Sequence, residues 1–381
     1  MRSSIPFVAL TGLLLVGAAC TENDAGTAGG NVSVRSTDDA CEVSTSETPS
    51  GNVVFEVTNA GSEVTEFYLL GADGLRIIGE VENIGPGISR NLVVQASPGD
   101  YFSACKPGMV GEGIRAPFTV TDSGAVIAAG DVADLLATAT EQYRLYVNDQ
   151  IDQLVTKTAE FAALYTAGED DAARALYADA RTHWERIEPV AESFGDLDPK
   201  LDLREADLEE GQEWTGWHAI EKDLWPPAQG YTTLSQSTRL SLADLLVADT
   251  ADLATRAEAL TFDATQLGNG AKELLDEVAT GKVTGEEEIW SHTDLWDFQA
   301  NVDGARIAFE NLQPALEKKD AALAATLIER FAALQQLLDL HREGDGFVLY
   351  TDLTDDEVKT LADAVNALSE PLAELTAAVV L

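Results

Sequence analysis

The sequence predicts a multidomain chain, an all-β sandwich followed by an all-α helical bundle, and three observations carry that expectation. Between residues 37 and 123, short runs alternate apolar and polar residues and stop at Gly-, Pro- or Asn-rich turns, the period-two signature of strands. From residue 130 to 381, Ala, Leu and Glu dominate and apolar residues recur at helical spacing. The first 36 residues carry neither period.

Taken in order, residues 1–20 read as a lipoprotein signal peptide. Arg2 precedes an apolar run, Ile5 to Val16, too short to span a bilayer, and the small residues Gly17, Ala18 and Ala19 lead to Cys20. Small residues before a cysteine fit a lipobox, with Cys20 as the lipidated residue, although Gly17 stands where an aliphatic side chain is usual. An ordinary signal-peptidase site is the alternative. Both place the protein outside the cytoplasm, and lipid on Cys20 would tie it to a membrane. Residues 21–36, rich in Gly, Ala, Ser and Asp, read as a flexible tether.

In the β region, GNVVFEVTNAG sets Val53, Phe55 and Val57 on one face against Val54, Glu56 and Thr58 on the other. TEFYLL, SRNLVVQA, DYFSAC and APFTVT repeat the pattern between turns such as Gly85–Gly87 and Ser97–Gly99, which suggests a small sandwich. In the helical region, Leu135, Ala139, Tyr143 and Val147 open a stripe, and the pattern continues to Leu381. ARTHWERIEPV (Ala180 to Val190) and ARIAFENLQPA (Ala305 to Ala315) match at a shift of 125 residues, so an internal duplication is expected.

Charge narrows function. The 24 Lys and Arg face 66 Asp and Glu, a formal net charge of -42, which repels nucleic acid and attracts cations. A soluble secreted surface explains the same number, so acidity alone assigns no metal.

The chain has four histidines. His218 and Glu221 in TGWHAIEKDLW lie three apart, and a helix would stack them with Trp214 and Trp225 on one core-facing stripe. A carboxylate there must be protonated, hydrogen-bonded or bound to a cation, and a core histidine bonded to its own glutamate meets the same demand without metal. Glu185 and Glu188 also share a helix face. Glu185 follows Arg181 by four residues, as Glu310 follows Arg306, so a structural ion pair is expected there, whereas Glu188 matches Gln313 and belongs to the first half alone. His183 points away from that face. The next loop offers Asp196, Asp198, Asp202 and Glu205, mostly as solvated caps. Near His292, Ser291 or Thr293 with Asp294 can cap the helix that holds Asp297. His341 suits a helix C-terminus. In the β region no histidine precedes His183, which excludes a blue-copper centre. If Cys20 carries lipid, Cys41 and Cys105 remain as a pair: a disulfide between them is one reading, a thiolate or carboxylate metal site the other.

GWHAIE matches the GxHxxE motif of imelysin-like proteins, the M75 peptidase group. HWERIEPVAESFGDLDPKLDLRE and SHTDLWDFQANVDGA resemble segments of the EfeO family, over about residues 32 to 381. The resemblance implies a cupredoxin-like domain at 37–123 and an imelysin-like domain at 130–381. It also implies an extracytoplasmic iron-uptake component that delivers Fe2+ or Fe3+ to a membrane permease beside a haem peroxidase. It carries metal binding to His218 and Glu221, with Glu185 and Glu188 as partners and Asp198 nearby, and a second site to Cys41, Glu66 and Cys105. Iron is the implied metal; carboxylates with one imidazole also suit zinc or manganese, and the cysteines suit copper. A metallopeptidase and a cation-bridged binder of an anionic polymer are the rival functions. The peptidase signature is incomplete, because HAIEK puts Lys222 where a zinc motif needs its second histidine.

Overall fold

The structure is a computed structural model and describes residues 30–72, 74, 77–109, 113–124 and 131–381. The expected leader with Cys20, and the expected tether up to residue 29, lie outside them. The described chain begins as a sandwich of two sheets. One has the order β2 (Cys41–Val43), β1 (Asn31–Ser36), β4 (Gly51–Asn59), β7 (Ser89–Ala96), with β1 parallel to β4. The other runs β3 (Glu47–Pro49), β9 (Ile114–Thr121), β8 (Gly99–Cys105), β5 (Thr65–Leu70), β6 (Ile77–Ile84), with β3 parallel to β9. The first strand thus lies inside the stretch expected to be tether: Val32 and Val34 alternate inward, a period too short to stand out after the preceding glycines. Val53, Phe55 and Val57 meet Phe67, Leu69, Phe118 and Val120 in the core, as the alternation requires.

Among the described residues ten α-helices follow: α1 (Asp131–Ala167), α2 (Asp170–Glu185), α3 (Leu197–Asp202), α4 (Gly216–Leu224), α5 (Gln236–Ala257), α6 (Ala264–Thr280), α7 (Asp294–Lys319), α8 (Ala321–Asp339), α9 (Asp355–Leu372) and α10 (Leu375–Val380). Helix α1 packs on α2, α5 and α7, and α7 in turn packs on α2, α6 and α8, so one apolar core runs through the bundle. Among the described residues no helix is long and apolar enough to cross a membrane.

The two matching strings take different paths, and the fold does not show the duplication. The second stays within α7 with Pro314 inside it, whereas the first leaves α-helix after Glu185 and turns into a 3-10 segment, Glu188–Phe194. Pro189 has no N–H for the Glu185 carbonyl, and Asn301 Nδ2 donates to that carbonyl instead, at 3.1 Å. Glycines on two helices admit the turn: a Cβ on Gly270 would lie 1.8 Å from the Pro189 carbonyl oxygen, and one on Gly304 2.4 Å from that of Arg186.

The β-sandwich sits on the bundle through α6. Asn269 donates to the Val93 carbonyl at 3.2 Å, and the Gln95 amide donates to Thr265 Oγ1 at 3.2 Å. Strand β6 also meets the Glu188–Phe194 segment, and a cavity of about 230 Å³ opens between them.

Candidate metal centre

Helix α4 begins with a sharp turn. Gly216 has φ +84°, and a Cβ there would lie 2.1 Å from the Leu201 carbonyl oxygen, so only glycine brings α4 against α3. Trp214 therefore precedes the helix and Trp225 ends it, which corrects the expected four-residue stripe. Trp217, fully buried against Phe161 and Tyr177, anchors the helix instead. His218 and Glu221 lie on one face as the spacing requires, and both are fully buried.

Glu221 is held from two sides. One carboxylate oxygen accepts from the Trp290 and Ser291 amides at 3.1 and 2.7 Å, and the other lies 3.4 Å from His218 Nδ1. With Nδ1 turned to Glu221, Nε2 faces Asp202 at 3.4 Å and Glu287 at 3.5 Å. Nε2 is buried and has no hydrogen-bond partner. Those separations are long for a hydrogen bond and close to the ~3 Å that two ligands span across one first-row cation with bonds of ~2.1 Å. Asp202, His218 and Glu287 offer ligand atoms within 4.8 Å of one another; so do His218, Glu221 and Glu288 through the other ring nitrogen. Asp202 and Glu287 line the cavity, which gives the first group an entry.

Around the imidazole lies a deep acidic nest with two permanent cations. The Arg181 guanidinium, fully buried, pairs with Asp202, with Glu185 and Glu288 at 2.6 Å, and with Glu287 and Asp297 at 3.2 Å. Lys282 Nζ contacts Glu185 at 2.9 Å and Glu188 at 2.8 Å. Electrostatics follow from this crowding. Burial and Arg181 oppose a proton on His218, but Asp202, Glu221 and Glu287 outweigh them and hold its pKa well above 6.5. Despite burial, Lys282 and His218 keep Glu287 at about 2, and Arg181 and His218 keep Asp202 below the usual range. Burial and Glu221 push Glu288 well up, and burial does the same to Asp297.

The expected ligands divide. Glu185 and Glu188 are tied to Lys282, Arg181 and Asn301, whose Nδ2 reaches Glu185 at 2.9 Å and Glu188 at 2.5 Å, and neither belongs to the groups around His218. The ion pair expected for Arg181 and Glu185 is present, as is that of Arg306 with Glu310. Asp198 lines the cavity, raised by burial. Cys41 and Cys105 form a disulfide with 5.5 Å between Cα atoms. Glu66 does not join them: it precedes Phe67, which pairs with Cys105, so it lies on the opposite sheet face and accepts from Tyr68 Oη at 2.6 Å. Asp294 does not cap its own helix but accepts from the Glu288 amide at 3.1 Å, and Asp297 faces Arg181. His183 bonds Gln150 at 2.8 Å, away from the nest.

Asp202, Glu287 and Glu288 were the residues that sequence reasoning passed over. Asp202 reads as one cap among several acids, and GEEEIW lies just before the SHTDLWDFQANVDGA segment. Its signal is a run of acids entering Ile289 and Trp290 with no lysine or arginine beside it. This loop is strapped from downstream: Tyr350 Oη donates to the Val283 carbonyl at 2.5 Å, and the Tyr350 amide donates to the His292 carbonyl at 2.9 Å.

The imelysin (M75 peptidase) family profile matches residues 139–375, which hold the helical bundle and the His218 nest. At the level of whole chains, the iron uptake system component EfeO of Escherichia coli O157:H7 is 37% identical over 347 residues, 90% of each chain. That of Yersinia pestis is 36% identical over 353 residues, again 90% of each. An Efem/EfeO family lipoprotein of Staphylococcus haemolyticus is 43% identical over 243 residues, 63% of this chain and 83% of its own. The chain belongs to the EfeO family.

Proposed function

We propose that this protein is the metal-capturing component of an iron-uptake system. Iron is the cargo, taken up through the interdomain cavity by His218 Nε2, Asp202 and Glu287. Glu221 holds the imidazole through Nδ1, the usual role of a carboxylate behind a metal-bound histidine. The observation that supports this most is the buried, unpartnered His218 Nε2 facing two carboxylates. The donor set suits iron, manganese and zinc, and the relatives' names favour iron. Delivery to a membrane permease, beside a haem peroxidase, completes the reading, with lipid on Cys20 as the anchor. A peptidase reading gains no support at Lys222: it pairs with Glu205 and lies over the Trp214 and Trp290 rings, 5.5 and 5.1 Å from their centres.

Calorimetric titration of Fe(II), anaerobically, and of Fe(III), Zn(II) and Cu(II) tests this, with circular dichroism as the folding control. His218→Ala should weaken iron binding by about 100-fold, and Glu221→Gln by about 10- to 100-fold, as expected for a ligand and its orienting partner. Folded variants that bind iron as the wild type does would refute the assignment.

A further inference from the structure

Lys282 opens the 3-10 turn that follows α6 and is 1% exposed. Its Nζ lies 2.9 Å from Glu185 Oε2, 2.8 Å from both oxygens of Glu188 and 4.0 Å from Glu287 Oε1. That Glu287 oxygen is also the one 3.5 Å from His218 Nε2, so a single carboxylate stands between imidazole and ammonium. A buried charge needs such partners, and a lysine meets them as a compact point cation tethered to the chain.

The surroundings of the ammonium are held independently of it. Arg181 Nη2 fixes Glu185 Oε1 at 2.6 Å, which leaves Oε2 turned to Lys282. Asn301 Nδ2 donates to Glu185 Oε2 and Glu188 Oε2, at 2.9 and 2.5 Å. Asn301 is fully buried, yet its Oδ1 has no hydrogen-bond partner. Turned over, the same amide would offer that oxygen to an ion between the two glutamates. Glu188 also lines the cavity, so the position has an entry.

We propose that Lys282 is a resident cation: it fills the second of two adjoining cation positions and thereby confines the nest to a single captured ion. This rests on the reading of His218, Asp202 and Glu287 as the capture site. Without the ammonium, Glu185 and Glu188 would take a further ion, with Glu287 shared between the two positions. The all-oxygen donor set suits a hard divalent ion such as Mn2+.

Lys282→Met keeps most of the stem but ends one atom short, which vacates the ammonium position. The test is Mn2+ binding to the metal-free full chain, with free Mn2+ read by electron paramagnetic resonance and folding followed by circular dichroism. Lys282→Met should bind one Mn2+ more than the wild type, and Lys282→Arg, which keeps the charge, should bind no more than the wild type. Adding Glu188→Gln to Lys282→Met should lose the extra ion. If Lys282→Met unfolds without metal, Mn2+ should refold it, since an ion bound only by the folded state stabilises that state. The wild-type count in folded Lys282→Met, an extra ion indifferent to Glu188, or an unfolded variant that Mn2+ does not rescue overturns the proposal. The extra ion should persist in His218→Ala/Lys282→Met, whereas failure of the His218 reading would appear in the iron titration of His218→Ala and leave this difference unmoved.

Discussion

Arg181→Met removes a guanidinium with no exposed surface from among Glu185, Asp202, Glu287, Glu288 and Asp297. Methionine fills similar space, so the change is chiefly one of charge. Stripping one partner from a buried ionic group costs about 3–5 kcal/mol, and here five carboxylates lose their common counter-ion, so the upper end applies at neutral pH. The pH dependence has a fixed sign. Burial already raises Glu288 and Asp297, and Arg181 opposes that rise in both. Without it their folded-state pKa values climb further. Between the ordinary carboxylate value and that raised value, the folded variant binds protons that the unfolded chain has released. Its stability must then fall as pH rises, by about 1.4 kcal/mol per pH unit for each such proton. Urea unfolding of metal-free protein at pH 5 to 7.5, followed by circular dichroism, measures both. A divalent cation bound at His218 should restore part of the loss, about 2.7 kcal/mol at 100 times its Kd. A variant as stable as wild type at pH 7.5 would show that Arg181 is not the counter-ion of this nest.

Two further perturbations test the scaffold. Gly216→Ala combines a left-handed backbone with a Cβ at 2.1 Å from the Leu201 carbonyl oxygen, and should cost about 3 kcal/mol while displacing His218; unchanged urea stability and metal affinity would refute the role given to that turn. Reduction of Cys41–Cys105 opens a loop with a sequence separation of 64, and should cost the sandwich about 4 kcal/mol by chain entropy. Iron affinity should survive, since Cys105 faces the sandwich core; a thermal transition insensitive to reductant would contradict this.

The sandwich and bundle were legible because their periods are local: Val53, Phe55 and Val57 declare a strand without help from distant residues. His218 and Glu221 were legible for the same reason, three apart on one helix. What surrounds them was not. Asp202, Glu287 and Arg181 converge from α3, a loop and α2, and nothing in their local spacing records that meeting. Glu185 and Glu188 show the converse: a shared helix face was visible, but the lysine that claims them, Lys282, lies 97 and 94 residues away. Lysine and arginine are mobile counter-charges to a reader of sequence; only packing shows which carboxylates they neutralise. Asn301 was hidden similarly, since its bond to the Glu185 carbonyl answers a proline in another element.

The Tyr350 strap sets when the Glu287–Glu288 loop can first be fixed in place. Glu287 and Glu288 sit on a loop whose two ends are pinned by a side chain and an amide some 60 residues further on. A chain emerging N-terminus first completes the sandwich early and can form α1 to α4 with His218 in place, but the loop of Glu287 and Glu288 stays unfastened until Tyr350 has emerged. A nascent or truncated chain ending before residue 350 would carry His218 and Glu221 intact and still lack both bonds that fix the loop of Glu287 and Glu288.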